Sequence, residues 1–242
     1  VTSTTTSLAT NSTRISTDSA IFQSRFNSKA WSGDLLAKRI DADGPASEEP
    51  LWSAAQKLDA RKDISQRNIL TVVPPSGTAN VGGRIASQGI EFTWSALSHE
   101  QQQLLTLDDE NSATAKLRLE YLRGDRSQEI TDKIRSRPFR QRGSRLGDIV
   151  NSDPQYLHNQ NFGYANLKWS SGTVGQAYKT FRSSNKYLKR SPLVVVGAND
   201  GMLHGFDATS DDKGGTTLGG RELFAYVPAS LFGKLPALSD PN

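Results

Sequence analysis

The stretch Leu193-Val-Val-Val-Gly-Ala-Asn-Asp-Gly-Met-Leu-His-Gly-Phe-Asp207 decides the fold class. Asp200-Gly201 separates two apolar runs, and an Asp-Gly pair in that position is a strong hairpin signal. A type I′ turn at Asp200 and Gly201 predicts Ala198 opposite Leu203, Val196 opposite Gly205 and Val195 opposite Phe206. One face then carries Val194, Val196, Ala198 and Leu203, and the other carries Val195, Met202 and Phe206. A hairpin apolar on both faces needs cover on both sides. Gly197 and Gly205 leave room for a large side chain or a backbone to approach. A third run, Glu222-Leu-Phe-Ala-Tyr-Val227, follows a Gly-rich loop. The unit reads as a three-stranded antiparallel meander, the form of a β-propeller blade between its neighbours.

Outward from this hairpin the chain is polar. Its 242 residues are 35% hydrophobic, with a formal net charge of +4 and no cysteine. Mean hydropathy is −0.54. Extensive loops are expected, and disulfides and thiolate metal sites are excluded. The charge excess is too small to argue for nucleic acid. No apolar run approaches the length of a membrane-spanning helix. The chain lacks an initiator Met and a leader and starts inside a Thr/Ser tract, so a fragment of a longer protein is expected.

Residues 1–19 read as a polar lead-in or linker. Leu35 to Ile40 read as a strand, Asp41-Ala-Asp-Gly44 as a turn and Pro50 to Leu58 as a short helix. Arg67 to Val73 form a β-branched strand stopped by Pro74-Pro75, and Ile90 to Trp94 form another. A helical insertion spans about 98–124. Ser98 and Gln101 have capping-box spacing, Ser112 or Thr114 caps the second helix, Leu117 and Tyr121 are i,i+4 partners, and Gly124 ends it. Arg135, Arg137, Arg140, Arg142 and Arg145 make a basic connector. Arg145 to Leu157 returns to strand texture, and residues 158–184 read as a loop.

Several motifs, taken in order, resemble the C-terminal domain of PilY/PilC-type pilus proteins. They include Trp31-Ser-Gly-Asp-Leu35, Arg67-Asn-Ile-Leu-Thr71, Phe92-Thr-Trp94, Tyr121-Leu-Arg-Gly-Asp125 and Phe139-Arg-Gln-Arg142. Leu146-Gly-Asp-Ile-Val150, Val196 to Asp207 and Glu222 to Pro228 complete the set. The resemblance covers roughly Ala20 to Leu238. It implies a mainly β chain: part of a modified, quinoprotein-like β-propeller with a small helical insertion, residues 20–242 being its N-terminal portion. It also implies a role in type IV pilus assembly, tip-associated adhesion and twitching motility. Implied partners are minor pilins, the pilus tip and host or abiotic surfaces, with no nucleic acid. The implied location is the pilus tip, outer membrane or periplasm of a bacterium. No cofactor is expected in this segment. The family's calcium loop is expected elsewhere, because Asp41 and Asp43 match an EF-hand loop only with Arg39 first and Pro50 last.

Candidate chemistry is sparse. Asp207-Ala-Thr with Gly220-Arg-Glu-Leu-Phe224 resembles a propeller docking signature, with Phe224 where Trp is usual. A quinone-dependent dehydrogenase is the competing reading of that signature, and a generic propeller interaction module is a third. His99, His158 and His204 lie far apart in sequence, and His204 reads as a satisfied sheet histidine. No nucleophile elbow is present, and no enzymatic activity is expected. Arg123-Gly124-Asp125 is an integrin-type tripeptide placed on a helix-ending turn, a candidate adhesive element. The arginine connector lacks interleaved aromatics other than Phe139, so ion-paired arginines are expected there. Asp200 and Gly201 are assigned a structural turn.

Overall fold

A computed structural model describes residues 8–10, 20–27, 32–41, 44–45, 49–74, 80–81, 84–85, 87–108, 110–167, 174–210 and 218–241. Trp31 and Asp43, and most of the loop 210–219, lie outside the described residues. The first sheet holds β1 (Leu8–Thr10), β2 (Ala20–Asn27), β3 (Ser32–Asp41) and β4 (Gly44–Pro45), with β5 (Trp52–Ser53) also pairing β3. β1 lies within the predicted lead-in and pairs antiparallel with β2. Asp41 pairs antiparallel with Gly44, and the two residues between them lie outside the described residues. Helix α1 (Ala54–Asp59) follows β5 directly, capped by the Ser53 side chain.

The second sheet gathers strands from across the chain. β6 (Ile69–Val73) pairs antiparallel with β9 (Gln88–Glu91), after the small hairpin of β7 (Asn80–Val81) and β8 (Arg84–Ile85). Helices α2 (His99–Leu104) and α3 (Ser112–Leu122) form the expected insertion. β10 (Gln155–Leu157) starts just after Pro154. Helices α4 (Val174–Ser183) and α5 (Asn185–Leu188) occupy a stretch that reads as loop in sequence. β11 (Leu193–Ala198), β12 (Met202–Asp207) and β13 (Glu222–Tyr226) complete the order β10-β11-β12-β13-β6-β9. The expected antiparallel meander is present, but β13 then pairs parallel with β6. The 3₁₀ segment Ala229–Ser239 packs against α2 and α3. The fold is mainly β with a few helices, and its described strands remain in separate sheets.

The decisive hairpin departs from its predicted register by one residue. Ala198 pairs with Met202, Val196 with His204 and Val194 with Phe206. The connection is therefore three residues, Asn199-Asp200-Gly201, and only Gly201 is left-handed, at φ 86°. A type I′ turn needs positive φ at both central residues, and Asp200 does not supply it. Its carboxylate instead accepts hydrogen bonds from the Met202 and Gly147 backbone N–H groups, at 3.1 and 3.0 Å. Because side chains alternate with period two, the shift regroups both faces. Val194, Val196, Met202, His204 and Phe206 share one buried face, while Leu203 on the other is 39% exposed. The Leu203 face is covered unevenly, since Gly205 and Asp207 on it are buried.

That face feeds two cores. Val194, Val196 and Phe206 pack with Phe22, Leu35, Trp52 and Leu58. Met202 packs with Ile69, Phe92, Leu119, Phe139 and Phe232. Phe224 lies across Gly205 on the adjacent strand, where a Cβ would overlap its ring. The aromatic seated on Gly219 and Gly220 is instead Trp52, whose Nε1–H donates to the Thr209 carbonyl at 2.9 Å. The docking aromatic is therefore Trp52 from the first sheet, a correction to the role read for Phe224. Gly219→Ala pushes a methyl into the Trp52 ring and should cost about 1–3 kcal/mol. Chemical denaturation of the protein checks this; an unchanged midpoint would refute the docking contact.

Candidate functional site

The strongest electrostatic feature lies between the two cores. His204 is fully buried, stacked 5.6 Å from Phe206. Its Nε2–H donates to Asp200 at 3.0 Å and its Nδ1–H to Glu222 at 2.8 Å. Glu222 then accepts a bidentate pair from Arg67 Nε and Nη2, both 2.7 Å, with each side chain 1% exposed. Arg67 Nη1 donates onward to the Arg123 carbonyl at 2.7 Å. Four charged side chains thus run in alternation, and bidentate geometry compensates the desolvation each one suffers.

Burial alone would push the His204 pKa down, but Asp200 and then Glu222 overcome it and raise it from 6.5 to about 9. Burial would raise Asp200, and the His204 charge instead holds it below the usual carboxylate range. Glu222 is likewise held low against burial, by Arg67 first and His204 second. His204 is therefore an imidazolium at neutral pH with both ring nitrogens donating. A general base needs an unprotonated nitrogen, and His204 offers none. Among the described residues, no group of three or more His, Cys, Asp or Glu side chains is placed to hold a metal.

The other sequence candidates separate in space. Gly124 ends α3 with φ 111°, as expected of a helix stop, although the N-cap is Asn111 rather than Ser112 or Thr114. Leu117 is 40% exposed while Tyr121 is buried, so they do not pair in the core. Arg123 is 6% exposed and its guanidinium donates to the carbonyls of Phe92 and Ser65. Asp125 accepts from the Ser127 N–H and hydroxyl at 2.8 Å. The tripeptide thus shows its aspartate end while its arginine faces inward, where an integrin-type partner has no access to it.

Most of the basic connector folds back onto the chain. Arg142 Nε pairs with Glu129 at 2.7 Å and its other nitrogens donate to the carbonyls of Tyr121 and Asp125. Its guanidinium also lies 3.7 Å from the Tyr121 ring centre. Arg145 reaches the carbonyls of Gly124 and Asp59, while Asp148 accepts from Asn199. Arg140 holds the Leu238 carbonyl.

One open cleft of about 550 Å³ lies between α1 and the start of β13. Its apolar wall includes Leu58, Leu218 and Leu223, its rim carries Lys57, Arg61 and Arg221, and Glu222 lies at its base. Arg61 is held by the carbonyls of Asp63 and Gln66. Among the described residues Glu222 is the one lining carboxylate, and Arg67 and His204 already neutralise it, so the described lining carries net positive charge. Sequence reasoning missed Arg67, Glu222 and Trp52 as partners. The signals were long-range, as Arg67 and Glu222 are 155 positions apart.

These features define a mainly β scaffold with a buried charge seam and an open cationic cleft. Residues 146–236 match the family model described as the PilY1 beta-propeller domain. The chain is 35% identical over 230 residues to the type IV pilus biogenesis factor PilY1 of Pseudomonas aeruginosa strain PAK, covering 90% of this chain and 17% of that protein. It is 34% identical over 240 residues to a PilY1 homolog of Xylella fastidiosa, covering 98% of this chain and 16% of that protein. No solved structure matches it. The chain belongs to the PilY/PilC-type family, as its ordered motifs implied, and spans about a sixth of the length of these curated relatives.

The charge seam predicts a pH profile. His204, with its pKa raised from 6.5 to about 9, contributes stability that is fully present below 6.5 and lost as pH rises through 9. Asp200 and Glu222 are depressed, so their contribution is present above ordinary carboxylate values near 3.8 and 4.5 and lost as pH falls through the folded values. Melting temperature should peak at about pH 5–6.5 and decline toward 9, and His204→Gln should flatten the alkaline limb. Arg67→Leu strands Glu222 and should cost about 3–5 kcal/mol. A melting profile that rises from pH 7 to 9 contradicts the charge assignment.

Proposed function

We propose that this chain is a rigid docking module of a type IV pilus biogenesis factor, supporting pilus assembly, tip-associated adhesion and twitching motility through partner contacts rather than catalysis. The observation that carries this reading is the match, over nine-tenths of the chain, to proteins named type IV pilus biogenesis factors. The geometry supports it, because the strongest titratable groups are engaged with one another inside the scaffold. A scaffold so fixed presents loops and clefts in constant positions.

The cleft between α1 and β13 is the surface best suited to a partner. Lys57 and Arg221 are exposed on its rim and Leu218 is 54% exposed. An extended acidic segment with an apolar residue fits this combination of charge and wall. Minor pilins are the partner class proposed, with attachment surfaces engaged elsewhere. No helix among the described residues is long and apolar enough to cross a membrane, and the proposed location is the bacterial cell envelope, at the pilus or outer membrane.

The test is co-purification of the full-length protein with minor pilins, with and without Lys57→Glu and Arg221→Glu. Both positions are exposed, so melting should be unchanged while capture weakens by about tenfold or more. Full capture by the doubly reversed variant removes the cleft from the interface, and absence of any pilin capture by the unaltered protein removes the docking function itself.

A further inference from the structure

Residues 154–199 contain no Asp or Glu, yet include Lys168, Lys179, Arg182, Lys186, Lys189 and Arg190. Much of this stretch leaves the sheet after β10 and returns to it at β11, forming α4, α5 and the 3₁₀ turn Tyr164–Asn166. α4 packs against that turn and against α5. Its surface is unusually apolar for an excursion. Phe162, Tyr164, Leu167, Phe181 and Leu188 are all 48–52% exposed. Side chains of this size left half in water on one small unit mark an interaction surface.

The aromatics are held in place rather than free. Tyr164 lies 6.1 Å from Phe162 and 5.3 Å from Tyr178, and the Tyr178 hydroxyl accepts from the Phe162 N–H. Phe181 meets Tyr187 edge to face at 4.9 Å, and Arg190 lies over Tyr187 at 4.3 Å. Among the described residues, Lys179, Arg182, Lys186, Lys189 and Arg190 make no ion pair, and the Nε atoms of Arg182 and Arg190 have no hydrogen-bond partner. This contrasts with Arg142 and Arg145, whose guanidinium groups are occupied by the fold.

We propose that the α4–α5 excursion docks on an anionic phospholipid surface. The charge complement identifies the partner as anionic, and the apolar set chooses among anions. Leu167 and Leu188 cannot stack on bases or sugar rings, whereas leucine and aromatic edges partition together into the boundary between headgroups and acyl chains. The rings that would stack on single-stranded bases are instead engaged with one another. Basic side chains beside that apolar set then meet lipid phosphates, an attraction that salt screens. This surface is separate from the cleft at α1 and β13, so it goes beyond the pilus-docking reading.

The experiment is co-sedimentation of the full-length protein with vesicles of phosphatidylcholine alone or with added phosphatidylglycerol. Binding is expected only with phosphatidylglycerol. Combined Arg182→Gln, Lys186→Gln and Lys189→Gln should weaken partitioning by roughly a hundredfold. Leu167→Ser with Leu188→Ser should weaken it at every salt concentration. These positions lie at the surface, so the melting temperature should hold in both variants. As an independent readout, Phe181→Trp should show a blue-shifted emission on phosphatidylglycerol vesicles. Undiminished partitioning by both combined variants overturns the proposal, as does an unmoved Trp emission. Aromatic-dependent binding of a single-stranded oligonucleotide without vesicle binding also overturns it, assigning the surface to nucleic acid.

Discussion

A buried imidazolium held between two carboxylates is the interaction on which this structure depends. His204 sits where the face of β12 passes from one hydrophobic core to the other, with Met202 on one side and Phe206 on the other. Charge there is tolerable only because Asp200 and Glu222 flank the ring and Arg67 neutralises Glu222 in turn. Removal of any member leaves the next one buried without a counter-charge. The chain of contacts also crosses the topology. It joins the β11–β12 turn to β12, to the start of β13 and to Arg67, two residues before β6, and so holds together strands far apart in sequence.

Arginine does in the loops what the imidazolium does in the sheet. A chain only 35% hydrophobic has many backbone segments outside helices and strands, and their buried carbonyls need donors. Arg118, Arg123, Arg142 and Arg145 supply them, each reaching carbonyls of segments remote from its own position. The guanidinium fork suits this work because several donors leave one rigid plane. The connector that looks in sequence like a basic patch is therefore largely spent internally. Outward-facing positive charge is present at the α1–β13 cleft and on the α4–α5 excursion.

Much of the scaffold was legible locally. The capping box of Ser98 and Gln101 forms as spaced, Gly124 adopts the left-handed stop, and β6, β11, β12 and β13 fall where β-branched or aromatic runs predict. Helix α4 was not legible, because a Gly, Ser and Tyr-rich stretch carries weak propensity and its order comes from aromatic contacts with Phe162, Tyr164 and Tyr187. The hairpin register was misread by one residue, since Asp-Gly suits both a two-residue turn and the last two positions of a three-residue connection. The backbone N–H of Gly147, donated to Asp200, belongs to a segment that no local pattern brings near.

The sequence by itself determined the family, the strand-rich texture and the helical insertion, because each follows from motifs or periodicities within a few residues. Only the tertiary structure decided which hairpin face is buried, why His204 is charged, and that Trp52 rather than Phe224 docks on the glycine pair. Those outcomes depend on pairings such as Arg67 with Glu222 and Trp52 with Gly219. Separations of that length leave no periodic trace in a sequence. They come into being only when β6 and β13 lie side by side and the first sheet closes over the second.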